Sequence, residues 1–489
     1  MIRCRTLLII ASALFVVGTP VALSAAEQNI TPPGTYDFKY RELKAPPKIS
    51  MKLMILRNRI AAQKLTYEVG YTAAMDFELE QITGLTVPAN FEQELQSRNL
   101  LAARRLKELP AMTAPSCSKT APGFDWRKAG GVSPVKDQGV CGSSWDFATI
   151  GSFEGSWRAI NNEAIRASAQ DVLDCSNGGN CGRGWWAFEY LIHKGVAAED
   201  TYPCHYTRGA CNNSVVRPYK ADTWGYVGTD HAIPSVAAMK EALCTYGPLA
   251  VAVYATDAFV AYTGGVFNEK ALGKVNHGVT LIGWDDSKNA WLIRNSWGTG
   301  WGSTCDYGME RGYMWISYNS NSIGYAAAWV RAKAKPKPMT EDCVSFSHTT
   351  SAVKKIDNSW KIVDGNHVIF DFGKNQNAAH RSLKVIKFYK MNSSCSVGRP
   401  DPVFNYFLVG NTAPRGTMSG QDCIKFNPAT VQIKEISSQW QIFHGNKVMY
   451  DFGNKIDEAY HTFHMIKKYG FTHQCSVKGP KPPFHYLHK

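Results

Sequence analysis

The longest apolar run lies at the very start of the chain. LLIIASALFVVG, residues 7–18, follows Arg3 and Arg5 and precedes ALSAA, residues 22–26. A basic start, roughly a dozen apolar residues and small residues at Ser24 and Ala26 predict a secretory signal over 1–26, because a membrane anchor needs about 20 apolar residues. No later run is long enough to span a bilayer, so the chain is expected to be exported, secreted or periplasmic, and not transmembrane. In MKLMILRNRIAAQKL, residues 51–65, apolar positions recur at three and four, which predicts a helix. NAAHRSLKVIKFYK (377–390) and IDEAYHTFHMIKKYG (456–470) carry the same spacing. Ahead of each lie two short apolar runs around DGN or HGN, a hairpin signal, and an aromatic strand follows each.

These late patterns occur twice. SWKIVDGNHVIFDFG matches QWQIFHGNKVMYDFG and CSVGRPDPVFNYFL matches CSVKGPKPPFHYLH. Trp360 and Trp440, Gly373 and Gly453, Cys343 and Cys423, and Cys395 and Cys475 are all 80 residues apart. Such register is an internal duplication. Each copy, 341–408 and 421–489, is read as a small β-β-α-β module stapled by a disulfide, Cys343 with Cys395 and Cys423 with Cys475. Trp360 and Trp440 are expected in the cores. The stretch RAKAKPKPMT, 331–340, combines Pro with like charge and reads as an extended linker. Residues 27–121 are polar, with extended pieces PPGTY and LKAPPK. Between a signal and a cysteine-bearing domain they are read as a removable pro-segment, a packing extension being the alternative.

At 489 residues the chain has room for several cores. Of its thirteen cysteines Cys4 falls in the signal, and the even remainder favours disulfides in an exported chain. No paired CxxC with a following HxxxH is present, so neither a structural metal nor a cofactor is expected. The net charge is +14, and from Arg331 onward 23 Lys and Arg face 11 Asp and Glu. The surplus therefore sits in the repeats. It is either a solvated basic face or an attraction to an anionic glycan or surface. No RNA-binding motif or DNA-reading helix accompanies it, so no specific nucleic acid is expected.

Residues 122–330 carry the chemical signal. FDWRKAGGVSPVKDQGVCGSSWDFA (124–148) resembles the opening of the mature domain of papain-like, cathepsin-like cysteine peptidases, whose pattern is DQGxCGSCWAF. NHGVTLIGW (276–284) is similar to that family's histidine strand, and WLIRNSWGTGWG (291–302) to its NSWGxxWG segment. The resemblance implies an α+β, two-lobed fold: a helical lobe led by residues 144 to about 160, a barrel-like β lobe carrying His277 and Asn295, and a peptide cleft between them. It also implies that Asn295 orients His277, that Trp297 shields the pair, and that Gln138 and the backbone N–H of residue 144 stabilise an oxyanion. Gly184 would hold extended peptide. The family's pairing implies Cys141 with Cys181 and Cys175 with Cys211. Cys117, Cys204, Cys244 and Cys305 remain, with three connectivities open.

Three positions depart from the family pattern. Ser144 stands where the nucleophilic cysteine is expected, and a hydroxyl is far less acidic than a thiol, so no resting ion pair with His277 would form. Asp146 replaces a small residue in the first turn of the helix and would oppose an anion if it faced the site. Arg183 replaces a glycine beside Gly184 and either narrows the cleft or points to solvent. The expected function is therefore an exported peptidase homologue that binds extended peptide or protein without efficient cleavage. The alternatives are an active peptidase, and an adhesive protein acting through its basic repeats.

Overall fold

The structure is a computed structural model in which residues 37–109, 117–335, 341–398, 404–477 and 484–489 are described. The predicted signal lies outside those residues. The helix expected around 51–65 spans Pro47–Gln63. Proline is favourable at its first position, where the missing N–H has no helical partner. Ile49, Leu53 and Leu56 form its buried stripe. A second long helix, Phe91–Glu108, buries Phe91, Leu95 and Ala102. Between them the strand Tyr67–Val69 pairs antiparallel with Tyr262–Phe267 and so adds an edge to the large sheet.

The helix Ser144–Asn161 is buried from Ser144 through Trp157. It carries apolar and small residues on every side because both lobes pack on it. Gly151 and Gly155 set how closely. A Cβ at Gly151 would stand 2.3 Å from Thr280 Oγ1 and one at Gly155 2.3 Å from Pro248 Cδ, so the helix lies almost in contact with the strand His277–Asp285. That strand is central in a nine-stranded, almost wholly antiparallel sheet. Its neighbour Leu249–Val253 shows how one strand serves two cores. Leu249, Val251 and Val253 belong to the β-lobe core with Trp284, Trp291 and Trp301, whereas Ala250 and Ala252 face the helical-lobe core of Trp145, Phe153 and Phe188. The alternation of side chains along a strand makes this possible. The last strand of the domain, Tyr325–Ala332, runs into the Lys/Pro stretch, and Lys335 N–H donates to Asn161 Oδ1 at 2.6 Å.

Five disulfides are present among the described residues. Cys141–Cys181, Cys175–Cys211, Cys343–Cys395 and Cys423–Cys475 form as expected, and Cys117–Cys244 resolves one of the open pairings. Cys204 and Cys305 are free.

Each repeat contains more strands than the β-β-α-β pattern expected from the DGN and HGN turns. The first has strands Asp342–Ser345, Ala352–Ile356, Ser359–Asp364 and His367–Asp371, the helix Gln376–Tyr389, then Ser393–Val397 and Phe404–Leu408. The second repeats this from Asp422 to His488. The extra hairpin turns at Asp357–Asn358 and Ser437–Ser438, all with positive φ, without a glycine to announce them. Each repeat thus forms two three-stranded sheets, one of which holds its disulfide at directly opposed positions.

The two disulfide sheets are exchanged between the copies. Phe404, Tyr406 and Leu408 of the first repeat pack with Trp440, Ile466 and Phe471 of the second, while Val477, Phe484 and Tyr486 of the second pack with Ile362, Ile386 and Tyr389 of the first. The copies are therefore one interlocked unit with two mixed cores. Trp440 is buried in one of them, as expected, and Trp360 lies partly buried against the other.

Candidate active site

Three local devices bring the site together. The Cys141–Cys181 bridge fixes the chain just before the long helix; Ser143 stands at its N-cap position without a side-chain capping bond, and Ser144 is the first helical residue. Gly142 leaves room there, since a Cβ would stand 2.5 Å from the carbonyl oxygen of Cys181. His277 opens the central strand beside that helix end, and Asn295 follows the adjacent strand Ala290–Arg294.

His277 Nε2 is 2.8 Å from Asn295 Oδ1, which also accepts from the Ser296 N–H at 2.8 Å. The ring lies 4.5 Å from that of Trp297, and His277 is fully buried. Burial pushes the imidazole down to about 4, against a smaller opposing effect of the Asn295 hydrogen bond, so the ring is neutral at pH 7. Its Nδ1 has no hydrogen-bond partner among the described residues. Ser144 is also fully buried, and its Oγ accepts from the Gly278 N–H at 3.1 Å. The hydroxyl is thus hydrogen-bonded to the backbone of the strand, and no hydrogen bond joins it to His277.

Gln138, expected as an oxyanion donor, is buried and fully hydrogen-bonded. Gln138 Nε2 donates to the carbonyl oxygen of Ile82 at 3.0 Å and to that of Cys141 at 2.7 Å, while its Oε1 accepts from Ser296 Oγ at 2.6 Å. Trp297 Nε1 donates to the same Ile82 carbonyl at 3.2 Å. Gln138 and Trp297 therefore converge on one backbone carbonyl of the N-terminal segment. Beyond it the chain passes Gly84, where a Cβ would stand 1.6 Å from the Gly142 oxygen. Leu85 N–H then donates to Asn276 O at 2.9 Å and Thr86 N–H to Gly184 O at 3.0 Å, with Leu85 and Gly184 paired in parallel. The cleft is filled by residues 82–86 of the same chain.

Two departures acquire a definite place. Arg183 is exposed to solvent, beside the Gly184 that pairs with Leu85. Asp146 is fully buried, and neither of its oxygens makes a well-formed hydrogen bond among the described residues. Desolvation pushes its carboxyl well above the usual range, against the weaker influence of Phe147 N–H, Ser143 and Lys136. Its burial inside the helical lobe favours the protonated form. Sequence reading missed Ser296, which holds Gln138, Gly278, which holds Ser144, and the occupant Ile82–Thr86. Ser296 lay in plain view within NSWG; the only signal of the occupant was a glycine, Gly84, inside the apolar stretch ITGLT.

The site thus brings together a helix-end hydroxyl, an imidazole hydrogen-bonded to an amide oxygen, and a buried glutamine amide. Residues 120–332 match the family described as papain family cysteine protease. Pro-cathepsin H of Mus musculus is 35% identical over 217 residues, 42% of this chain and 62% of that protein. Cysteine proteinase COT44 of Brassica napus is 30% identical over 283 residues, 56% of this chain and 83% of that protein. A solved recombinant stem bromelain precursor is 26% identical, with a TM-score of 0.47 over 60% of this chain and 92% of its own. The chain belongs to the papain family of cysteine proteases. The match ends before the interlocked repeats.

Proposed function

We propose that this chain is an exported papain-family homologue that binds extended peptide in its cleft and cleaves it poorly or not at all, with residues 27–121 acting as a pro-segment that fills the cleft until removed. The observation that carries this reading is the state of Ser144. Its hydroxyl is held by Gly278 N–H while the neutral His277 keeps an unpartnered Nδ1. A thiol at this position would be ionised by the imidazole; a hydroxyl must instead be deprotonated during attack, with an amide rather than a carboxylate behind the base. Removal of the pro-segment would open the edge of Gly184 and Asn276 to the backbone of a peptide, and free Gln138 to bind its carbonyl.

The intact His277–Asn295 hydrogen bond and the seated Gln138 favour a second reading, slow proteolysis through Ser144. One experiment separates the two. The chain cut within 110–116 and freed of the segment before the cut, so that the Cys117–Cys244 bridge stays, and its Ser144→Cys variant are assayed on a mixed fluorogenic peptide set with a thiol alkylator as control. Cleavage and alkylation by the variant alone support a binding protein disarmed at one atom. Cleavage by the parent that His277→Ala abolishes establishes the peptidase reading instead.

A further inference from the structure

Far from the cleft, three parts of the chain close around a small void. The Phe91–Glu108 helix ends there, beside the end of the last peptidase strand and the hairpin of Val431–Ile436 and Gln439–His444 in the second repeat. Arg105 Nη2 is 3.1 Å from Glu435 Oε1 and 3.9 Å from Asp222 Oδ1, and Arg105 also donates to Ser438 Oγ. Ser438 Oγ in turn donates to Glu108 Oε2 at 2.7 Å. On the other side Lys333 Nζ is 2.5 Å from Glu435 Oε2 and 4.9 Å from the ring of Trp440. Glu435 thus bridges a cation of the N-terminal segment and a cation of the peptidase domain. The side chains of Arg105 and Glu435 are only 24% and 23% exposed. Such a half-buried, multiply hydrogen-bonded pair contributes more than a solvated surface pair.

The duplication supplies an internal control. The first repeat builds the same hairpin in the same register, Lys355 facing Trp360 as Glu435 faces Trp440. There the acid is a lysine, exposed to solvent. Only the second copy carries the charge that fits Arg105 and Lys333.

We infer that the second-repeat hairpin is a clasp whose partner is the Arg105–Glu108 end of this chain's own N-terminal segment, and that it keeps the segment across the cleft after the backbone between them has been cut. This rests on the reading of residues 82–86 as the natural occupant of the cleft. No cysteine lies in 37–109, and Cys117 stays tied to Cys244, so a cut within 110–116 leaves the segment held by non-covalent contacts alone. Removing or displacing the repeats would then speed the opening of the cleft without touching it.

The test uses the full chain with a site-specific protease sequence replacing residues 110–116. After cutting, release of the N-terminal fragment is followed by size exclusion, and entry of a fluorescent extended peptide into the cleft is followed in parallel. Glu435→Gln and Arg105→Ala are each expected to speed release about tenfold. The double variant should be clearly slower than the product of the two effects, because both changes remove the shared Arg105–Glu435 pair. Lys355→Gln, the equivalent change in the first repeat, should release at the parent's rate. Thermal unfolding checks that each variant remains folded. Release from Glu435→Gln at the parent's rate, or fully multiplicative effects of the two changes, overturns the clasp. Immediate release from the parent overturns it too. If release follows the expected pattern but the peptide never enters, the clasp stands and the cleft reading fails.

Discussion

At the scale of single residues, two buried ionisable groups act in opposite directions. His277 binds its proton near pH 4 when folded and near 6.5 when not, so between these values the unfolded chain holds the extra proton and stability rises with pH. As the pH falls from 6.5 to 4, this one group should cost up to about 3 kcal/mol. Urea unfolding of parent and His277→Gln across that range checks it; equal pH slopes would contradict it. Asp146 has the reverse sign, since its folded carboxyl binds a proton far more tightly than the usual aspartate. Above the ordinary aspartate range the folded chain therefore holds more of this proton than the unfolded one, and stability falls as the pH rises. Asp146→Asn should stabilise the protein at pH 7, with the gain vanishing toward pH 4. A gain that persists at pH 4 would mean that packing, not ionisation, is responsible.

At the scale of elements, the decisive feature is a stretch of five residues. Ile82–Thr86 fills the cleft by backbone hydrogen bonds to Asn276 and Gly184 and by presenting one carbonyl to Gln138 and Trp297. It can do so because Gly84 has no side chain to strike Gly142. Gly84→Ala puts a Cβ into a backbone oxygen, and overpacking of this kind costs about 1–3 kcal/mol. The cleft of the uncut chain should then bind a fluorescent extended peptide about tenfold or more tightly than the parent's, the occupant having been weakened by that amount. Unchanged affinity would show that the peptide does not compete with residues 82–86.

At the scale of the whole molecule, the exchanged sheets make the repeats interdependent. Phe404, Tyr406 and Leu408 have their apolar partners in the other copy. Deletion of residues 421–489 should therefore leave the first repeat unfolded or self-associated through that face, whereas the pair unfolds in one transition. Sedimentation and denaturant unfolding distinguish these states; a monomeric, cooperatively folded single repeat would refute the exchange. The same interlocking gives the clasp its rigidity, because the hairpin bearing Glu435 packs on a core that both copies build.

Much of the site was legible along the chain. Ser144, His277, Asn295 and Gln138 each stand in a short motif, and the duplication was plain from its 80-residue register. These are local patterns: a helix start, a strand, a turn, a cysteine at a fixed offset. Three things were decided only by the tertiary structure. The occupant of the cleft is an unremarkable pentapeptide whose meaning comes from the carbonyl it places against Gln138. The partner of Cys117 was one of three until folding brought Cys244 beside it. Which sheet covers which repeat helix could not be read at all, because the two copies present nearly the same apolar faces, and the hydrophobic effect, being non-directional, does not distinguish a copy's own sheet from its twin's. The connecting chain and the packing geometry made that choice.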